Sequence, residues 1–416
     1  LFWWQGVDGS KILTYFPMSG YVNSLDYKGI ISDLKLSEAN TGRNDVLILY
    51  GFGNHGGGPE RFMLDRVLKF RENPFFPNVK FIKPYEYLEQ MDKNFLETIP
   101  TWNDELYLEY HRGTFTTQAA AKSGNRRSEF GLANSEKLAL FASLYGKEYP
   151  KDDFNKAWEK TLFNQFHDIL PGSSIAPVYK DAKEDYDYID KTYKKITDQS
   201  LTYLGDLINT SAIKGDPFII FNSASWERTD ICKLTLPEKF KDKNIAVTDD
   251  KGKVIPFQKS DENVICFLAK NIPGLGYKTY SIIESNTSKA GDNKSNNNYI
   301  ENKYFQVKVN DKTGNISSLY DKINKKEVLS SEGNLIQLFD DRPTMYDAWE
   351  IKYTGVKWDL NCADKVIIEE RGDVFSKIKI TKSFLGSNKD QMTPTSAYPS
   401  SFFTQNIILY NDLNRI

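Results

Sequence analysis

The chain has 416 residues, with 54 Lys and Arg against 56 Asp and Glu and a formal net charge of −2 at pH 7. That balance leaves no basic footprint for nucleic acid or anionic membrane, so no nucleic-acid partner is expected. No run approaches the ~20 consecutive apolar residues that span a bilayer, and the length calls for roughly two to four domains rather than one core. Three cysteines, Cys232, Cys266 and Cys362, are too few and too scattered for a disulfide framework or a cysteine-based zinc site, and they favour a cytoplasmic location. The 24 Tyr and 26 Phe are enough to furnish several cores, and they also suit a cleft for a neutral, polar ligand such as a sugar.

In chain order, Leu1-Phe2-Trp3-Trp4 is strand-like, and residues 1–95 alternate short apolar strands with polar helical stretches. Val46–Tyr50 is a continuous apolar run between Asp45 and Gly51, the pattern of a buried parallel strand. The loop after it, Gly51-Phe52-Gly53-Asn54-His55-Gly56-Gly57-Gly58-Pro59, occupies the place where parallel α/β folds bind ligands. It lacks the Lys-Ser/Thr of a phosphate-binding loop, so its glycines are read either as a structural turn or as room for a ligand against the backbone.

Residues 96–210 read as helical. Phe154, Trp158, Leu162, Phe166 and Ile169 recur at near-helical spacing, which predicts a helix from Asp152 to Asp168 capped by Asp152 or Asp153 and stopped by Pro171-Gly172. His167 would then lie in its last turn. A second helix, Ala176–Ile208, would pack antiparallel to it in a small bundle. Beyond residue 211 the pattern turns to β: Phe218–Phe221 and Val264–Leu268 read as strands, and Asn222–Ser225 as a turn. The polar stretch Ser285–Asn298 reads as a linker. Tyr304–Val309 and Ile316–Tyr320 flank Asp311–Asn315 as a hairpin that opens a β-sandwich. The aromatic start and the apolar strand Ile407–Tyr410 near the end suggest an internal fragment of a larger protein.

Only three histidines occur, and each sits in a dense polar, Gly-rich or aromatic segment: His55, His111 and His167. Histidine is the usual neutral-pH proton carrier and a common metal ligand. His167-Asp168 at a helix end serves either the helix dipole or a metal, and a metal there needs donors from remote sequence, with Asp168 as an orienting neighbour. Glu105, Glu109, His111 and Arg112 form either a solvated charged run or, because Trp102, Tyr107, Tyr110 and Phe115 are interleaved, a cleft wall. Asn125-Arg126-Arg127 reads as a structural charge cluster.

Four segments, in order, resemble the family 38 glycoside hydrolases, the class II α-mannosidases. They are Phe2-Trp3-Trp4-Gln5-Gly6-Val7-Asp8-Gly9-Ser10, Tyr50–Pro59, Glu105–Gly113 and Asn164-Gln165-Phe166-His167-Asp168-Ile169-Leu170-Pro171-Gly172-Ser173-Ser174. Asn315–Asp321 and Asp347-Ala348-Trp349 are similar to that family's C-terminal β domains. The resemblance spans essentially the whole chain, and the His167 segment is its most specific part. It implies a multidomain α/β plus β protein. Residues 1–95 would be the C-terminal part of a seven-stranded β/α barrel, 96–210 a three-helix bundle, 211–290 a small β domain, and 300–416 the start of a large β-sandwich.

The resemblance further implies a zinc-dependent, retaining exo-α-mannosidase acting by double displacement, with an α-mannoside oligosaccharide as partner. His167 would be a Zn²⁺ ligand, and Asn54, Asp168, His111 and Arg112 would lie at the bound sugar; Tyr21 matches a sugar-contacting tyrosine. The family's N-terminal His-x-Asp zinc pair and its Asp nucleophile precede the Phe2 segment, so the expectation is that these 416 residues alone neither bind zinc tightly nor turn over a glycoside. Many members carry Asp where this chain has Asn54. An amide cannot act as general acid, which leaves His55, or a carboxylate such as Asp104 or Glu105, for that role. Two other functions fit part of the pattern: a non-hydrolytic mannoside-binding homologue, and another zinc-dependent saccharide hydrolase such as a deacetylase. Linkage preference is not legible, self-association into a homo-oligomer is left open, and the Asn-x-Ser/Thr triplets at Asn209, Asn286 and Asn315 are too common by chance to argue for secretion.

Overall fold

The structure, a computed structural model, describes residues 1–53, 57–107, 109–261, 263–285, 299–384 and 400–416. It mixes helices with several sheets and divides into two compact units, Leu1–Leu108 and Glu109–Ile416.

In the first unit, β1 (Phe2–Gln5) pairs antiparallel with β2 (Lys11–Thr14) and parallel with a two-residue strand near the unit's end. Helix α1 (Tyr27–Thr41) starts where the Asp26 carboxylate accepts the Gly29 N–H, and it stops at Gly42, whose φ of 70° is left-handed. Its buried Ile30 meets Met63 and Val67 of α2 (Arg61–Arg71) and Leu25, while Ile48 and Tyr50 pack on the same cluster. Two short helices, α3 (Pro84–Glu89) and α4 (Lys93–Thr98), lead to the closing strand, β3 (Thr101–Trp102).

The parallel strand expected at Val46–Tyr50 does not form. The Leu47 N–H donates to the Tyr15 hydroxyl at 3.2 Å, and that hydroxyl donates back to the Leu47 carbonyl at 3.0 Å. A phenol thus takes the place of a neighbouring strand, and an isolated bridge between Asn23 and Gly51 follows. The apolar run is explained by side-chain packing against the helices rather than by a ladder.

In the second unit, a 3₁₀ turn (Glu109–Phe115) leads into α5 (Ala119–Leu144), followed by α6 (Lys151–Phe163) and α7 (Ala176–Asp206). Small residues on α5 admit α7 closely. A Cβ at Gly124 or Gly131 would come within 2.7 or 2.6 Å of the rings of Tyr186 and Tyr193. Helices α6 and α7 run antiparallel, with Asp153 facing Lys195 at 4.0 Å and Lys160 paired with Asp185.

Helix α6 is shorter than its spacing predicts. It begins after Pro150, with Asp152 and Asp153 in its first turn rather than at its cap, and it ends at Phe163. The Asn164 amide donates to the Lys160 carbonyl at 2.9 Å and to Asp185 at 3.1 Å, and the backbone changes to tight turns, with Gln165 N–H to Leu162 and Phe166 N–H to Phe163. A side chain that competes for the last carbonyls ends the helix. His167 therefore lies in the turn beyond α6. Leu162 and Phe166, expected on the apolar stripe, are exposed, whereas Phe154, Ala157, Thr161 and Asn164 are buried.

The remaining chain is β. Strands β4 (Asp216–Asn222), β5 (Arg228–Thr235), β6 (Ile245–Asp249), β7 (Val254–Ile255), β8 (Phe257–Asp261), β9 (Val264–Ile272) and β10 (Gly276–Glu284) form two sheets, ordered β4-β10-β6-β7 and β5-β9-β8. They close on one core that includes Val247, Ile265, Phe267, Tyr280 and Ile282. The expected linker falls almost wholly on residues 286–298, which lie outside the described residues.

The expected hairpin forms as β12 (Phe305–Val309) and β13 (Ile316–Asp321), flanked by β11 (Tyr299–Glu301) and β14 (Lys326–Glu327). After a two-stranded sheet of β15 (Gln337–Asp341) and β16 (Tyr353–Asp359), three strands pair in order: β17 (Lys365–Arg371), β18 (Phe375–Phe384) and β19 (Ser401–Tyr410). Ile300, Val307 and Val309 of the first sheet meet Ile378, Ile380, Ile407 and Leu409 of the last. This face-to-face burial of alternating residues makes both sheets' inner faces one core.

Candidate active site

Two turns of the second unit carry sequence-predicted site residues, and α5 ties them together. The first is the 3₁₀ turn. The Gly113 carbonyl accepts both the N–H and the hydroxyl of Thr117, at 2.9 and 2.7 Å, and the Gly113 N–H donates to the Trp349 carbonyl at 2.8 Å. A Cβ at Gly113 would come within 3.0 Å of the Trp349 backbone, so glycine permits that approach. His111, with φ −126° and ψ 28°, breaks the turn's regularity, and its ring meets Trp349 edge-on at 5.3 Å. Trp349 in turn stacks on Tyr346, 5.8 Å away and 18° from parallel. These aromatics, with Tyr110, Glu350 and Lys352, border an open cleft of about 490 Å³. Tyr346 holds a left-handed φ of 56°, and its carbonyl accepts the N–H groups of Trp349 and Glu350, both at 2.8 Å.

The second turn carries His167 and Asp168. His167 Nε2 lies 3.4 Å from Asp168 Oδ2, with the two side chains 70% and 31% exposed. The Asp168 backbone carbonyl accepts the Ser174 hydroxyl at 2.6 Å and the Tyr179 hydroxyl at 3.3 Å, while its Oδ1 accepts the Ser173 hydroxyl at 3.2 Å. At the turn's start, the Gln165 amide donates to Asn125 and Glu129 of α5, both at 3.0 Å. Asn125 is thus part of a buried polar contact, while Arg126 pairs with Glu129 at 2.7 Å and Arg127 with Asp190 at 3.5 Å, as a structural cluster would.

Lys122, in the first turn of α5, joins the two. Its Nζ donates to the Thr117 carbonyl at 2.6 Å and to the Leu170 carbonyl at 3.0 Å. Burial lowers its pKa below the ordinary lysine value.

His111, Arg112, His167 and Asp168 therefore all belong to the second unit, while Tyr21 belongs to the first. Tyr21 is 73% exposed and its ring packs on Gly53, 3.1 Å from where a Cβ would stand, beside the glycine-rich loop. Asn54 and His55 lie outside the described residues. Asp104 and Glu105 are exposed in the first unit, where their carbonyls accept the indole N–H groups of Trp4 and Trp102. Lys122, Tyr346 and the cleft-lining role of Trp349 were not read from sequence; the dense run Met345-Tyr346-Asp347-Ala348-Trp349 was the available signal for two of them.

A structural zinc site needs about four donors and a catalytic one three plus water. Among the described residues no group of three or more His, Cys, Asp or Glu is arranged to hold a metal ion. His167 and Asp168 are suitable donors by chemistry, but as a pair they do not make a complete site.

Three family descriptions match the chain in order: the glycosyl hydrolases family 38 N-terminal domain over residues 1–105, the alpha mannosidase middle domain over 109–204, and the glycosyl hydrolases family 38 C-terminal domain over 300–416. The chain belongs to glycosyl hydrolase family 38. Alpha-mannosidase G of Dictyostelium discoideum is 29% identical over 391 residues, covering 84% of this chain and 34% of that protein. Alpha-mannosidase 2C1 of Homo sapiens is 28% identical over 363 residues, 84% of this chain and 32% of that protein. The chain thus spans about a third of the length of the curated relatives it matches. The crystal structure of an alpha-mannosidase from Enterococcus faecalis V583 superposes with a TM-score of 0.71 at 17% identity, over 99% of this chain and 55% of that one, which is a likeness of fold.

Proposed function

We propose that the protein carrying this chain is an α-mannosidase that releases terminal α-linked mannose from glycans or oligosaccharides. The observation that carries this reading is the ordered match of three family 38 domains along one chain. The names of the similar proteins agree with it.

In this reading residues 1–95 belong to a β/α barrel, 96–210 to a three-helix middle domain, 211–290 to a small β domain, and 300–416 to a large β-sandwich. His167 serves as one zinc ligand, and bound zinc would orient sugar hydroxyls; the described residues supply no complete ligand set, so no step is assigned to the metal. Asp168 accepts a hydroxyl of the bound sugar, its carboxylate oriented from behind by Ser173. His111 lines the approach beside the Tyr346–Trp349 pair, where a sugar's C–H face can stack, and Arg112, its neighbour in sequence, is a further sugar contact in this reading. Tyr21 is a further sugar contact. Hydrolysis is retaining, with one carboxylate as nucleophile and His55 in the general-acid role that Asn54 cannot take. A cytoplasmic location is part of the proposal and rests on the three free cysteines; no described helix is long and apolar enough to cross a membrane.

Asn54 favours one second reading, a homologue that binds mannosides without cleaving them. Incubation of the full-length protein and zinc with an α-linked mannobiose and with an acetylated saccharide separates the outcomes. Release of free mannose is expected. Release of acetate would show a deacetylase, and binding without any release would show the non-hydrolytic homologue.

A further inference from the structure

We propose that Lys122 is a positioning residue that holds the His111–Gly113 turn and the His167–Asp168 turn in one fixed arrangement; the proposal rests on the α-mannosidase reading. Lys122 bridges two backbone carbonyls that no regular element pairs, those of Thr117 and Leu170, 53 residues apart in sequence. Each end leads directly to a candidate site residue. Thr117 grips Gly113 through its own N–H and hydroxyl, and Gly113 is fixed in turn to Trp349, on which the His111 ring rests. Leu170 lies two residues after Asp168, and its N–H returns to the Phe166 carbonyl at 3.0 Å, which closes the loop around His167.

The choice of lysine is informative. Among the described residues no carboxylate pairs with Lys122, so the ammonium stands half-buried with carbonyl partners alone. A purely structural bridge of this kind is more cheaply made by a neutral side chain, because burial disfavours the charge. An ammonium gains stronger, charge-assisted bonds to both carbonyls, and so resists displacement of either turn. Sub-ångström placement matters most where a reacting geometry must be held.

The test compares the full-length protein with Lys122→Met, which keeps the apolar stem and loses every donor, and with Lys122→Arg, which keeps the charge and donors. For an aryl α-mannoside, Lys122→Met is expected to lower kcat about tenfold or more with KM little changed. Amide exchange should rise in both residues 113–117 and residues 167–172, and Lys122→Arg should recover part of kcat. Wild-type kcat in Lys122→Met, or a loss that only tracks the folded fraction and is not recovered by Lys122→Arg, overturns the proposal. Should Lys122→Met not fold, Lys122→Gln replaces it under the same criteria. If the wild-type protein cleaves no mannoside, the functional reading has failed, and the exchange measurement decides for Lys122 alone: joint loosening of both turns supports the bridge, and unchanged protection refutes it.

Discussion

Gly172 stands directly against Thr117: a Cβ built on Gly172 would lie 2.5 Å from the Thr117 carbonyl oxygen, and Gly172 has a φ of +93°. Space and backbone conformation independently exclude a side chain. Gly172→Ala is therefore expected to destabilise the protein by about 1–3 kcal/mol and to displace the turn that carries His167. Gly252 has a φ of +78° but nothing within 4 Å of its would-be Cβ, so Gly252→Ala pays only for the conformation, about 1 kcal/mol. Urea unfolding of both variants checks the ordering, and equal losses would show that contact with Thr117 is unimportant.

Tyr186 is buried on Gly124, and among the described residues its hydroxyl has no hydrogen-bond partner. Burial first, then the nearby charges of Asp185 and Glu129, pushes its pKa up to about 12. The folded state therefore holds this proton where the unfolded chain, near pH 10, has begun to lose it. This contribution to stability is complete below about pH 10 and disappears as pH rises towards 12. Tyr186→Phe should leave stability at pH 7 unchanged or slightly higher and flatten the alkaline decline; a loss above about 1 kcal/mol at pH 7 would reveal a bond that the geometry lacks.

Thiol reactivity should follow placement. Cys362 is exposed and Cys266 is buried, while burial pushes the Cys232 thiol up to about 11. At pH 8 in native buffer a disulfide reagent is expected to modify Cys362 rapidly and the other two only on unfolding. Rapid modification of Cys232 would contradict the packing of β5 against β9.

Lys382 is 1% exposed, with its Nζ donating to Asn315 Oδ1 at 2.6 Å and to the Leu360 carbonyl at 2.9 Å. Lys382→Met leaves both acceptors without this donor and is expected to cost about 1–3 kcal/mol by thermal or urea unfolding. Asn315 itself is 1% exposed and donates to Glu332, so in the folded chain its Asn-Ile-Ser triplet is closed to glycosylation.

The β12–β13 hairpin was legible because alternation and a turn sequence are local signals that agree with each other. The end of α6 was not, because spacing counted Leu162 and Phe166 as apolar while the deciding event was the Asn164 amide bonding to Lys160. Val46–Tyr50 shows the related failure: an apolar run records burial, and the Tyr15 hydroxyl that satisfies Leu47 lies 32 residues away. At the candidate site, His167 and Asp168 stood out as a motif. Lys122 did not, since nothing in its sequence neighbours announces the Thr117 and Leu170 carbonyls.

The central claim is hydrolysis of α-mannosides at the His167–Asp168 turn, and its most direct test is the rate of mannose release by the full-length protein in zinc-containing buffer. The wild type should turn over an aryl α-mannoside. His167→Ala and Asp168→Asn, each first checked by thermal unfolding to be as folded as the wild type, should each lower kcat/KM by at least about a hundredfold. Undiminished release by both variants would contradict the account and move the chemistry elsewhere in the protein.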